Sequence, residues 1–286
     1  MKTLITVDCH AMCHRIRYGM GGIELSTDNS NTEIVFGFMV QLHQLATKFE
    51  TNLFAFAWDS SKNFREDIDS DYKRNRKNVE KTKEEYDQDR KARWQFTRLR
   101  VDVLPRLGFR NNFIQTGLEA DDLIASIVCT NEYNHIIVSR DSDLYQLLHP
   151  TVRMYDSQTK KEFTYPDFML RYGIRPGVWA KVKAIAGCPT DNVMGIPGVG
   201  EKTAIRYLRE ELPAKNKAFQ LIVDSSDKIN HNLELVELPF HETQETPIVE
   251  HELYQKDFLT VFEKLKFKSF LSASNFNEWV KAFRLV

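Results

Sequence analysis

The sequence predicts an α/β fold: a central, mostly parallel, twisted sheet flanked by helices. Two observations carry this. Short apolar runs alternate with stretches of helical spacing, which is the pattern of βαβ units. Several conspicuous aspartates directly follow those runs, where the carboxyl ends of parallel strands collect ligands.

Residues 4–7 read as the first strand, ending at Asp8. Residues 34–49 have helical spacing through Phe38, Leu42, Leu45 and Phe49. Residues 53–58 form an apolar run that stops at Asp59. Residues 135–139 form a third strand, ending at Arg140 and Asp141, and residues 152–155 a fourth. Helical stretches at 92–107 and 120–128 separate these strands. From Pro166 the character changes. Short helices at 178–186 and 202–211 flank the turn Gly195, Ile196, Pro197, Gly198, Val199, Gly200, so residues 166–210 read as a small helical unit packed on the sheet. Residues 230–250, polar and punctuated by proline, are expected to be loops, and 258–271 a final helix plus strand. No internal repeat is visible.

A length of 286 residues fits one large or two small domains, and 42% hydrophobic with 28% charged residues suits a soluble protein with a sizeable core. No apolar run reaches the roughly 18–20 residues that span a bilayer. The N-terminus reads as a strand and not as a secretory signal. Cys9, Cys13, Cys129 and Cys188 have neither disulfide density nor zinc-ribbon spacing, which points to reduced thiols and a cytoplasmic location. The net charge of −1 announces no nucleic-acid partner. Its distribution says more: residues 72–83 carry six bases (Lys73, Arg74, Arg76, Lys77, Lys81 and Lys83) against one acid, Glu80. A basic segment of this kind is commonly a solvated helix or loop, but beside acids it suits an enzyme that holds phosphates and binds cations. Tyr72 adds a ring able to stack on a base.

Glu119, Ala120, Asp121 and Asp122 open a helix. Acids there complement the helix dipole, yet three carboxylates in four residues exceed what a cap needs and repel one another unless a cation intervenes. Asp141 and Asp143 are open to the same helix-cap reading, but at i,i+2 both can aim at one space beyond the third strand. With Asp8 and Asp59 they make a set of hard oxygen ligands that suits Mg²⁺ or Mn²⁺ and not zinc. Two such cations serve in-line attack on a phosphodiester. The turn at 195–200, followed by Glu201, Lys202 and Thr203, is a helix–hairpin–helix signature whose Gly195, Gly198 and Gly200 let backbone N–H groups approach a DNA phosphate.

In this order the motifs resemble the 5′-nuclease or flap endonuclease family in its bacterial and phage form, which includes the N-terminal nuclease domain of DNA polymerase I. The matches are residues 5–8, 57–59, 72–76, 119–122, 139–143, 191–192 with 195–200, and 262–271. The resemblance implies a PIN-like 5′-nuclease core over residues 1–165, with a helical arch at about 60–95. Residues 166–286 become the helix–hairpin–helix DNA-binding region and C-terminal segment. It implies a free-standing, monomeric 5′-3′ exonuclease or flap endonuclease of a bacterium or phage-infected cell. The substrate would be DNA with 5′ flaps, nicks or free 5′ ends, with an RNA–DNA hybrid also open, cut to a 5′-phosphate and a 3′-hydroxyl in replication or repair. Asp8, Asp59, Glu119 and Asp121 match the first metal cluster, Asp143 and Asp191 the second, and Asp122 and Asp141 stand where they serve both. Lys73 and Arg76 match catalytic cations of the arch; Tyr72 and Arg74 beside them, and Lys202 and Thr203 of the hairpin, fall among the family's DNA contacts, and the hairpin often carries K⁺. Cys188 stands where the family has an aspartate. A thiol is a poor Mg²⁺ ligand, so the second site is expected to be weak. A DNA-junction-binding protein with impaired catalysis and a PIN-type ribonuclease are the competing readings.

Overall fold

The four strands anticipated from the apolar runs join two short ones that were not anticipated, β3 and β6, in one six-stranded sheet: β1 (Thr3–Asp8), β2 (Phe54–Ala57), β3 (Asn112–Phe113), β4 (Asn134–Val138), β5 (Val152–Asp156) and β6 (Lys161–Phe163). The computed structural model describes residues 1–19, 26–27, 30–77 and 80–286; Asn78 and Val79 of the basic stretch lie outside the described residues. The order is β3-β2-β1-β4-β5-β6; all neighbours are parallel except β6, which runs antiparallel to β5. Leu4, Ile5 and Val7 of β1 and all of β2 are buried, because helices cover both faces.

The chain leaves β1 toward β2 and β3, then returns to the other side of β1 for β4. The strand order therefore reverses between β1 and β4, and the crevice beyond their carboxyl ends is where such sheets bind ligands. Register places Asp8 opposite Ala57 and Val7 opposite Val138, so Asp8, Asp59 and Asp141 emerge on one rim.

One face is covered by the helices Cys9–Gly19 and Glu33–Phe49 and by the C-terminal helices Gln255–Lys264 and Ala273–Phe283, whose Phe258, Phe262, Trp279 and Phe283 share a core with Ile5, Phe38 and Phe56. The other face carries the helix Ala120–Thr130 and the helical unit that follows β6. Among the described residues no helix is long and apolar enough to cross a membrane.

The expected helix at 92–107 begins earlier, as Lys83–Arg98, and widens to a π-helix over Leu99–Val103 just ahead of Pro105, which has no N–H to donate. Two expectations are corrected. Residues 230–250 are not all loop, because Ser226–Val236 is helical. Its polarity misleads: Asn232 is buried with Leu235 and Val236, and its amide donates to the carbonyls of Ala184 (2.8 Å) and Met194 (3.1 Å). The expected final strand is the helix Lys268–Leu271, where Phe270 and Leu271, with Phe267 at the N-cap, have helical rather than alternating spacing.

Asn232→Ala leaves two carbonyls without donors in a buried place. A loss of about 1–3 kcal/mol is expected, read as a lower urea midpoint with unchanged slope.

Candidate active site

Four chain segments deliver acids to a cleft of about 230 Å³ at the reversal point, lined by Asp8, His10, His14, Asp59, Lys73, Arg76, Glu119, Asp121 and Asp141. Asp8 ends β1; its carboxylate accepts the backbone N–H of Ala11 and the hydroxyl of Ser139, both at 3.0 Å. Ser139 Oγ in turn accepts the N–H of Asp141 at 3.2 Å, which links the ends of β1 and β4. Asp59 accepts the N–H of Ala120 at 2.7 Å, so the helix Ala120–Thr130 is aimed by an acid from β2. Glu119 caps that helix and points its carboxylate at Lys73 and at the hydroxyl of Tyr72 (2.9 Å).

Crowding shows in the proton equilibria. Burial, then the charge of Asp59, pushes Asp8 up to about 7. Burial, then Asp141 and Asp8, pushes Asp121 well above the usual carboxylate range, and burial with Asp143 raises Asp141. Burial works the same way on Glu119, but Lys73 and Arg65 outweigh it and hold that carboxyl low. Buried carboxylates that repel one another are what a cation relieves, and an all-oxygen set suits a hard divalent ion. The residues fit that group.

A second cluster adjoins the first. Ligand atoms of Asp143, Cys188 and Asp191 all lie within 4.8 Å of one another. Asp191 pairs with Arg76 and lies 3.8 Å from Lys73 Nζ. Asp143 pairs with Lys183 at 2.8 Å. Burial, then Asp143, pushes the Cys188 thiol up to about 11, so it is neutral near pH 7. The Lys73 N–H donates to the Asp191 carbonyl (2.8 Å), which holds Lys73 at φ 53, a left-handed conformation unusual for lysine.

Three expectations change. Asp122 does not face the cleft: fully buried, it takes a bidentate pair from Arg65 (2.7 and 2.8 Å) and the N–H groups of Glu119 and Phe240, which leaves no room for a cation. Tyr72 is buried, with its hydroxyl on Glu119, and is not free to stack on a base. Gly195 serves chain packing, since a Cβ there would stand 2.2 Å from the Ala186 backbone. Gly198, at φ 78, and Gly200 face open space, and Gly200 caps the helix Glu201–Leu208 bearing the exposed Lys202 and half-buried Thr203. Arg74 is exposed and pairs with Asp71 at 2.8 Å. Sequence reasoning missed Arg65, Lys183, His10 and His14. For the two histidines, their place just after Asp8 in the first helix was a usable signal.

A parallel sheet whose strand ends gather carboxylates beside two cationic side chains, Lys73 and Arg76, is an arrangement that could hold a divalent cation against a phosphate. Residues 3–173 match the family described as 5′-3′ exonuclease, N-terminal resolvase-like domain, and the chain belongs to that family. It is 31% identical over 214 residues to DNA polymerase I of Mycobacterium leprae (72% of this chain, 22% of the polymerase) and 30% identical over 225 residues to that of Synechocystis sp. (72% and 22%). The match thus spans less than a quarter of these polymerases. In fold the chain is similar to a T5 5′-exonuclease with bound zinc (TM-score 0.70, 24% identity, 83% of this chain and 90% of that one). It is similar also to flap endonuclease-1 from Methanococcus jannaschii (TM-score 0.63, 13% identity, 98% and 91%).

The raised carboxyl of Asp8 has a consequence for stability. The folded state holds that proton more tightly than the unfolded chain, whose value is near 3.8, so without divalent ions stability falls as pH rises from about 4 to about 7. Asp8→Asn is expected to flatten that part of a melting-temperature profile recorded in EDTA; an unchanged slope counts against the crowding.

Proposed function

We propose that the chain is a structure-specific 5′-3′ exonuclease and flap endonuclease that hydrolyses DNA near free 5′ ends, with two divalent cations. The observation that carries the reading is the convergence of Asp8, Asp59, Glu119, Asp121 and Asp141 on one cleft beneath Lys73 and Arg76. Asp8, Asp59, Glu119 and Asp121 would hold the first cation, Asp143 and Asp191 the second, with Asp141 between them. Mg²⁺ is the natural ion and Mn²⁺ the tolerated one. When bound, such ions supply Lewis acidity at the phosphodiester.

The remaining work falls to the chain. Lys73 and Arg76 stand over the acids, paired with Glu119 and Asp191. A phosphate entering the cleft takes these cationic groups as its own partners, and their charge counts most as negative charge builds on the transferring phosphoryl group. Tyr72 positions Glu119 rather than a base. Gly198, Gly200, Lys202 and Thr203, at a helix start and an open left-handed turn, suit contact with duplex phosphates and a K⁺ ion. The described residues of the segment at about 60–95 would serve as the arch over a 5′ flap, nick or RNA–DNA end, and the enzyme acts as a monomer in the cytoplasm of a bacterium or phage-infected cell.

Asp8→Asn and Asp121→Asn are each expected to lower cleavage of a 5′-labelled flap by roughly 1000-fold, the loss of several kcal/mol of charge stabilisation, while affinity measured in EDTA persists. Near-normal rates in both variants would remove the site.

Cys188 sets the second cation. Asp143 and Asp191 keep two carboxylates there, and Lys183 already offsets one of them. The free protein is expected to bind one Mg²⁺ tightly and the second weakly or only with DNA. Cys188→Asp should lower the Mg²⁺ concentration at half-maximal cleavage and add a second calorimetric event. An unchanged metal requirement refutes this.

A further inference from the structure

The π-helical turn Leu99–Val103 leaves the carbonyl of Arg100 without a donor from its own helix. The N–H of Leu104 goes to the carbonyl of Leu99, five residues back. In the same pattern the carbonyl of Arg100 would take residue 105, and Pro105 has no N–H. Asn112 of β3 supplies the donor: its Nδ2 donates to the Arg100 carbonyl at 2.6 Å. Its Oδ1 accepts the indole N–H of Trp58 at 2.7 Å. The indole can only donate and the carbonyl can only accept, so both ends of the carboxamide are committed and its orientation is fixed. Asparagine is the shortest side chain that carries donor and acceptor on separate atoms.

Trp58 is buried and stands directly before Asp59. Its ring meets that of His10 edge-on with centroids 5.6 Å apart, and Phe96 of the helix Lys83–Arg98 meets His10 in the same way, also at 5.6 Å. His10 Nδ1 in turn accepts the backbone N–H of Asp59 at 3.1 Å. The indole therefore bears on Asp59 by two routes: along the chain, and through the imidazole bonded to the Asp59 backbone. We propose that Asn112 is a positioning residue for the metal cleft. By holding the Trp58 indole against the turn Leu99–Val103, it fixes the ring of His10 and the backbone of Asp59. Asn112 is not among the residues that line the cleft, so its influence runs through Trp58. The inference rests on the nuclease reading for the role of Asp59 as a cation ligand. A ligand whose support is loosened binds its ion less tightly, whereas DNA affinity without the ion is untouched.

The chain has four tryptophans, so ¹⁵N labelling of the indoles gives four N–H signals, and Trp58→Phe identifies the one from Trp58. Mg²⁺ added to the free parent protein is expected to shift that signal. Asn112→Ala should move it upfield, as its hydrogen bond is lost, and should raise the calorimetric Mg²⁺ midpoint by about fivefold or more. Its affinity for a 5′-flap duplex in EDTA should match the parent's, and its lost cleavage should return as Mg²⁺ is raised. Asn112→Asp keeps an acceptor for the indole and gives up only the donor to Arg100, so its Mg²⁺ midpoint should stay near the parent's. Asn112→Ala combined with Trp58→Phe should cost no more than the larger single effect, because both break one contact. A parent-like midpoint in Asn112→Ala, with only a lowered melting temperature, makes Asn112 mere scaffold and overturns the proposal, as do additive effects of the two changes. Failure of the nuclease reading looks different: the parent itself would bind no Mg²⁺ and cut no 5′-ended DNA, and that result overturns both.

Discussion

Arg65 and Asp122 form a bidentate pair with side-chain exposures of 2% and 0%, and much of the site hangs from it. Arg65 also donates to the carbonyl of Leu235, and Asp122 accepts N–H groups from Glu119 and Phe240. One pair thus joins the short helix Arg65–Ile68, the start of the helix Ala120–Thr130 and the segment after Ser226–Val236. Desolvating two charges gains little net stability. What it fixes is direction: with Asp122 held inward, Glu119 and Asp121 are turned to the cleft. Removing either partner leaves a buried, unpaired charge, at a cost of about 3–5 kcal/mol.

The second constraint is repulsion. The strand ends of a parallel sheet bring Asp8, Asp59 and Asp141 close together because β1, β2 and β4 are neighbours. The crowding raises the proton affinity of Asp8, Asp121 and Asp141, and ion pairs offset the charge at Glu119 and Asp191. A site crowded in this way has much to gain from cations, and on the proposed reading Lys73 and Arg76 would become available to a phosphate to the extent that those cations took over their partners.

The sequence made the rim legible because a strand end and the acid after it are local facts. Asp8, Asp59 and Asp141 needed only the apolar run before each. Asp122 and Tyr72 were misassigned because their orientation depends on distant partners. Arg65 lies 57 residues from Asp122, and Glu119 lies 47 residues from Tyr72, with no periodicity to connect them. The helix Ser226–Val236 was read as loop since a buried asparagine looks like a surface residue until its two carbonyl partners are known. Gly195 was assigned to a ligand when its true neighbour is the Ala186 backbone, a packing fact invisible in the motif.

Cys188 was legible as a departure, but its meaning came from Lys183. A carboxylate there would have stood beside Asp143 and Asp191 and needed a cation. The thiol, pushed up to about 11, adds no charge near neutral pH, and Lys183 supplies a fixed positive charge 2.8 Å from Asp143. The second cluster therefore holds its shape with less help from a divalent ion than the first. On the proposed reading the two cations then differ in kind: one is retained by the protein, and the other is completed by the oxygens of the DNA. Cleavage would be gated by substrate at the second ion, because there a neutral thiol and a lysine already paired with Asp143 leave fewer anionic ligands.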